Sequence, residues 1–178
     1  MAQSHMAEYE TTREELSAVS EKNHFHASMN PMAQFPFAIS SEAVSNSGMV
    51  SSPLRMLDCA PNSDGAAAIV LCATEKAKKY KKKSIKIIGS GQASDTLSLH
   101  HRKYLNQMPA IRVAAKRAFK SCGKKASDLD LIEIHDNFTI SEIIALEEIG
   151  IFKRGKAAKG ILKGETKLGG RIPINTSG

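Results

Sequence analysis

The stretch "LIEIHDNFTISEIIALEEIG", residues 131–150, changes its periodicity halfway. Its first residues form an apolar, strand-like run that reaches His135. From Thr139 the spacing is that of an amphipathic helix, which Gly150 ends. A strand feeding a helix is one step of α/β layering. His135 therefore falls at the carboxyl end of a strand, just before a helix amino terminus. Open α/β sheets place ligand-contacting residues there, and a nearby helix terminus favours a neutral imidazole and supports developing negative charge. Two readings are open at this point: a histidine that only hydrogen-bonds within a βα turn, or a site residue at the mouth of a sheet. Asp136 and Asn137 read as turn and cap residues, Thr139 and Glu142 as a capping pair, and Phe138 as core or pocket wall.

The same alternation extends upstream. Asp64–Gly65 is a turn signal, and "DGAAAIVL", 64–71, fits a strand buried on both faces. "CATEKAKKY" reads as a helix, and "SIKIIGSGQAS", 84–94, as a second strand leaving into a glycine-rich loop. "QMPAIRVAAKRAFKSCG", 107–123, is a helix whose residues Ile111, Ala115, Ala118, Phe119 and Cys122 share one face, with Gly123 as its stop. "LDLIEIHD", 129–136, is the third strand and "RIPIN", 171–175, begins a fourth. Strands alternating with helices from about residue 62 give an α/β fold class. Before that, residues 11–26 read as a helix capped by Thr11 or Thr12, with Glu14 or Glu15 completing a capping box and Leu16, Val19 and Asn23 on one face. "MNPMAQFPF", 29–37, ends it. A short helical piece follows at Ser41–Asn46 in an otherwise irregular stretch. With an abrupt start and a close on "RIPINTSG", the sequence reads as cut at both ends.

Composition narrows the function. The chain has 178 residues, 42% hydrophobic and 24% charged, which is ordinary for a globular domain. No apolar run approaches the ~20 residues of a membrane span, and no secretory signal is visible. Cys59, Cys72 and Cys122 are an odd set without metal-ligand spacing, which suggests reduced thiols and a cytoplasmic location. The net charge is +7, with much of the excess in "KAKKYKKKSIK", 76–86. That run lacks the arginines and aromatic platforms of nucleic-acid recognition, so no nucleic-acid partner is expected. His24 and His26 stand two apart and cannot share a helix face, so no metal site is expected. His100 and His101 read as an exposed loop pair. "GSGQAS" lacks the full dinucleotide fingerprint. Cys59 reads as a small buried residue rather than a nucleophile.

Four ordered motifs resemble one family. "HMAEYETTREELSAVSEKNHFHASMNPMAQF", 5–35, resembles the loop-domain opening of thiolases of the sterol-carrier-protein-associated and archaeal acetyl-CoA acetyltransferase type. "LDCAPNSDGAAAIVL", 57–71, is similar to the strand that closes their first half. "LIEIHDNF", 131–138, resembles their His-Asp-x-Phe motif, and "GGRIPINTSG", 169–178, the strand leading to their Gly-His-Pro loop. The resemblance implies part of an αβαβα layered fold with a helical loop-domain insertion. Residues 1–58 would be the loop domain, 59–83 the last strand and helix of the amino-terminal half, and 84–178 the opening of a truncated carboxyl-terminal half.

The implied reaction makes or cleaves a 3-oxoacyl-CoA through a cysteine acyl-enzyme. Coenzyme A thioester would be the substrate, with no resident cofactor. His135 falls on the motif histidine, which contributes to an oxyanion hole; Phe138 would line the acyl pocket, and His5 and Met6 match a loop-domain pair near the substrate. The family's nucleophilic cysteine would lie upstream of Met1, and its Gly-His-Pro histidine and second cysteine downstream of Gly178. Cys59, Cys72 and Cys122 match none of these. A homo-oligomer or a complementary thiolase chain is therefore the expected partner. The alternative is a non-catalytic, truncated thiolase acting as a CoA-binding or assembly module.

Overall fold

The structure is a computed structural model that describes residues 1–80 and 83–178. Its helices are α1 (Ala2–Tyr9), α2 (Arg13–Ala27), α3 (Ser41–Asn46), α4 (Thr74–Tyr80), α5 (Pro109–Cys122), α6 (Thr139–Ile149) and α7 (Ala157–Leu162). A small antiparallel hairpin, β1 (Met49–Ser51) and β2 (Leu54–Arg55), is the one named sheet among the described residues. No helix among them is long and apolar enough to cross a membrane.

Helix α2 starts as its sequence requires: Thr12 accepts from the Glu15 amide at 3.2 Å while Glu15 accepts from the Thr12 amide at 3.0 Å. Helices α3 and α5 also match their expected spans, and Gly123 ends α5 in the left-handed conformation. Three elements have no counterpart in the sequence reading: α1, the hairpin and α7. The last begins where two successive amides, of Lys156 and Ala157, donate to Glu147 at 3.2 and 3.1 Å, so its start is set by a residue of another helix.

The four expected strands do not form a sheet. Residues 64–71 have no assigned secondary structure and no strand partner, with Ile69 83% and Val70 96% exposed. Residues 84–88 are likewise exposed, Ile85 at 98%. The physical reason is that a strand is stabilised by its neighbours, and no described segment lies alongside these to complete a ladder. The 84–94 segment does touch α5. A Cβ on Gly91 would sit 2.0 Å from the Ala114 carbonyl oxygen, so only glycine lets the backbones approach this closely. The expected third and fourth strands, 129–136 and 171–175, meet in one parallel bridge, Ile132 with Ile174. Within the lysine run, Lys81 and Lys82 lie outside the described residues.

The core packs α2 against α6 and α7 and closes with Ile172 and Ile174. Residues 1–58 and 139–178 thus share one interior. Helix α6 is buried all round, from Thr139 to Glu148, as its mostly apolar composition requires. The capping pair expected of Thr139 and Glu142 does not form. Phe138 is the residue before the helix, Thr139 donates to Asp58 at 3.0 Å, and Glu142 turns into the core. There its carboxylate lies 3.0 Å from Lys22 Nζ, both side chains being fully buried. Tertiary partners offer these groups more than a local cap does. Arg13 adds a two-pronged pair with Asp58, both contacts at 2.6 Å, joining α2 to the turn Met56–Asp58.

Asp136 belongs to the same polar interior. Asn23 Nδ2 donates to both Asp136 and Glu142. Burial first, and then the Glu142 charge, pushes the Asp136 carboxyl from 3.8 up to about 7. The folded state therefore holds a proton that the unfolded chain releases, and the stability this contributes is complete below about pH 3.8 and lost as pH rises through about 7.

Two measurements check this account. Lys22→Met removes the ammonium that faces the buried Glu142 carboxyl, and should lower unfolding stability by about 3–5 kcal/mol in urea titrations. A loss below about 1 kcal/mol would mean that the pair is not buried in solution. Asp136→Asn cannot ionise, so the stability of the parent relative to this variant should fall between about pH 4 and about pH 8. A difference independent of pH would place the Asp136 carboxyl in water.

Candidate functional site

The segment 131–138 keeps the alternation of a strand even without a sheet. Ile132 and Ile134 are half-buried towards the core, while Leu131, Glu133 and His135 face outward and are exposed. The Ile132 amide donates to the Pro173 carbonyl at 3.1 Å, and the Asn175 amide donates to the Ile132 carbonyl at 2.9 Å. Two residues later the ladder is replaced by a side chain: the Ile134 amide donates to Asn175 Oδ1 at 2.6 Å. Asn175 reaches it from a left-handed conformation, φ 51°, which asparagine tolerates better than most residues. On the other side, Asn137 O accepts from the Ala60 amide at 3.0 Å, and Cys59 bridges Phe138 in antiparallel fashion. His135 is thus held between two fixed stretches of backbone.

Its ring is exposed, and among the described residues no protein group hydrogen-bonds to it. The neighbouring turn is docked by Glu133, which accepts from Thr176 Oγ1 at 2.8 Å, Ser177 Oγ at 2.6 Å and the Ser177 amide at 3.1 Å. Burial pushes the Glu133 carboxyl up, but these hydrogen bonds outweigh it and hold the group below its ordinary range. Phe138, three residues on, is 38% exposed. Beside this segment a cleft of about 220 Å³ runs between α2 and residues 57–61, with Asn23, His24, Cys59, Asp136 and Gly178 among its walls.

His135 and Phe138 therefore come together at one turn, and His5 and Met6 do not join them. His5 is fully buried, with Nδ1 2.8 Å from Thr11 Oγ1 and Nε2 3.3 Å from Glu147 Oε2. Met6 packs against the core. Glu147 lies eight residues along α6 from Thr139, so at 1.5 Å per residue the His5 contact is displaced by about 12 Å from the helix start that His135 precedes. The structure thus places His5 in a polar contact between α1 and α6.

The other candidates have local roles. His26 is buried, accepts from the Leu168 amide at Nε2 (3.1 Å) and so donates from Nδ1 to Asn175 O (2.9 Å). Burial lowers its pKa, in keeping with this neutral ring. His24 Nδ1 lies 3.2 Å from Phe37 O, a different partner on a different side. Cys59 lines the cleft, but burial and then the Asp58 charge push its thiol up, away from thiolate chemistry. His100 and His101 are exposed neighbours in a short turn.

Sequence reasoning missed Lys22 and Asn175, which surround the His135 segment, read Glu142 only as a cap partner of Thr139, and placed Asn23 only as a face residue. The available signal was a polar residue at a core-facing position: Asn23 follows Leu16 and Val19 at helical spacing, and Glu142 interrupts an apolar helix.

Residues 91–178 match a family model described as Thiolase C-terminal domain-like. The whole chain is 46% identical to an acetyl-CoA acetyltransferase of Methanothermobacter thermautotrophicus, of which it covers 46%. It is 34% identical over 179 residues to sterol carrier protein 2 of Oryctolagus cuniculus, covering 98% of this chain and 33% of that one. A solved structure described as an Ltp2-ChsH2(DUF35) aldolase superposes with a TM-score of 0.92 at 31% identity, over 99% of this chain and 47% of the other. The chain thus spans less than half the length of each protein it matches, and the matches fit an α/β fold. With its domain match and its full-length similarity to these relatives, the chain belongs to the thiolase family.

Proposed function

We propose that this chain is a segment of an acyl-CoA C-acyltransferase that makes or cleaves 3-oxoacyl-CoA, with His135 as an oxyanion-hole donor. The observation that carries the reading is the unpartnered, exposed ring of His135 on backbone fixed from both sides. Such a ring is free to donate to a thioester oxygen as negative charge develops there, and a preorganised donor costs no rearrangement at that moment. His135 then acts as an electrostatic stabiliser rather than as a base. Phe138, partly exposed at the same turn, forms a wall for the acyl group. His5, buried against Glu147, supports α1 in this reading, and any substrate contact of Met6 depends on movement of that helix.

The division into a loop domain (1–58), the end of one thiolase half (59–83) and the opening of the next (84–178) belongs to the same reading, as does a cytoplasmic setting. The acylated cysteine and its activating histidine come from outside these 178 residues, either in one polypeptide or on a complementary chain. The exposed apolar segments 64–71 and 84–88 support such a completion, since unpaired strands of this composition invite pairing. Coenzyme A enters as part of the substrate.

The solved aldolase favours a second reading, an aldol cleavage; on a CoA thioester this would break a 3-hydroxyacyl chain into a carbonyl compound and a thioester enolate. Both reactions place negative charge on the thioester oxygen, so both use His135 in the same way. They differ in the covalent step, because aldol cleavage needs no acyl-enzyme.

In the active enzyme that carries this chain, His135→Ala should lower kcat by about 10²–10³; an unchanged kcat would falsify the assigned role. Intact-mass measurement after incubation with acetyl-CoA separates the two reactions. An acyl adduct on a co-purifying or contiguous segment supports acyl transfer, and turnover without any adduct supports aldol cleavage.

A further inference from the structure

The backbone around His135 is bracketed by two asparagine side chains, and one buried oxygen orients both. On the amino side, Asn175 Oδ1 accepts from the Ile134 amide at 2.6 Å. On the carboxyl side, Asn23 Nδ2 donates to the Asp136 carboxyl. An amide side chain can present its oxygen or its nitrogen, and a second contact decides which. For both asparagines that contact includes Glu142 Oε2, which accepts from Asn175 Nδ2 at 3.2 Å and from Asn23 Nδ2 at 3.1 Å, and Asn23 Oδ1 also accepts from Lys22 Nζ. Lys22 Nζ lies 3.3 Å from the same oxygen and 3.0 Å from Oε1, and it also donates to the Ile174 carbonyl at 3.0 Å. A lysine ammonium has donors only, so its approach to both oxygens leaves the Glu142 carboxyl as the acceptor in this cluster.

We propose that Glu142, ion-paired with Lys22, is the positioning residue for His135: by orienting Asn175 and Asn23 it fixes the segment on either side of the histidine and hence the direction of its ring. Glu142 touches neither His135 nor the face that His135 presents to a ligand. Its influence passes through two amides and two peptide units. The inference rests on the proposed role of His135 and adds to it the group that sets the geometry. Oxyanion donors work within a few tenths of an ångström, so a small rotation of this segment weakens the transition state more than it weakens substrate binding.

Asn175→Gly is the decisive variant. Glycine occupies the left-handed conformation at φ 51° without strain and removes only the side-chain amide. Glu142→Gln is its companion, although it also takes the charge partner from Lys22. In the active enzyme carrying this chain, Asn175→Gly should lower kcat by about tenfold with KM changed by less than about twofold. In a His135→Ala background the same substitution should cost nothing further, because both changes act through one group. Full additivity of the two losses overturns the positioning role and leaves Asn175 a purely structural residue. With ring-¹³C histidine, the His135 resonance, assigned by its absence in His135→Ala, should shift or broaden in Asn175→Gly and in Glu142→Gln. An unmoved resonance overturns the inference. A moved resonance with an unchanged kcat in His135→Ala upholds the positioning and overturns the functional reading.

Discussion

Lys22 and Glu142 set the terms for the rest of this molecule. An ammonium and a carboxylate withdrawn from water cost several kcal/mol each unless they meet each other and further polar groups. Here they meet at 3.0 Å with both side chains fully buried. Meeting that need draws three parts of the chain to one place. Lys22 comes from α2, Glu142 from α6, and the Ile174 carbonyl from the segment near residue 178. Replaced by apolar residues, the same positions could pack at least as firmly, so the pair is better understood as a source of specificity than of stability.

The candidate site follows from that pair. Segment 131–138 has no sheet to hold it, and a single parallel bridge to Ile174 would let it pivot. Side-chain amides supply what the missing ladder does not. The Ile134 amide finds Asn175 Oδ1, and the Asp136 carboxyl finds Asn23. Because each asparagine is itself tied to Glu142, the polar interior extends from the helix–helix interface to the turn that carries His135. Asp136 is the least comfortable member of the group. It shares a donor with a charged neighbour while buried, which is why its proton is retained to about pH 7.

The apolar segments 64–71 and 84–88 show what happens where such anchoring is missing. Their composition is that of strands buried on both faces, yet their side chains stand in water. Neither segment has a strand or bridge partner among the described residues. The 84–94 stretch still rests on α5 through Gly91. Likeness to proteins more than twice as long is consistent with a layered architecture in which these segments find their neighbours.

Much of this was legible from residue order because its causes are local. The Thr12–Glu15 box starts α2, a short helix spans Ser41–Asn46, Gly123 and Gly150 end α5 and α6, and the change of period around residue 136 puts His135 at a strand-to-helix turn. Each depends on groups within about four positions of one another, so spacing alone reveals it. Ordered motifs likewise carried the family, since resemblance of residues needs no coordinates. Tertiary structure decided the remainder. Glu142 belongs to Lys22, 120 residues away, rather than to a cap with Thr139; His5 faces Glu147 across 142 residues; Glu147 starts α7; and Asn175 orders the backbone before His135 from 41 residues away. A buried charge takes the partner that folding brings within about 3 Å, and no periodicity in the chain records which residue that will be.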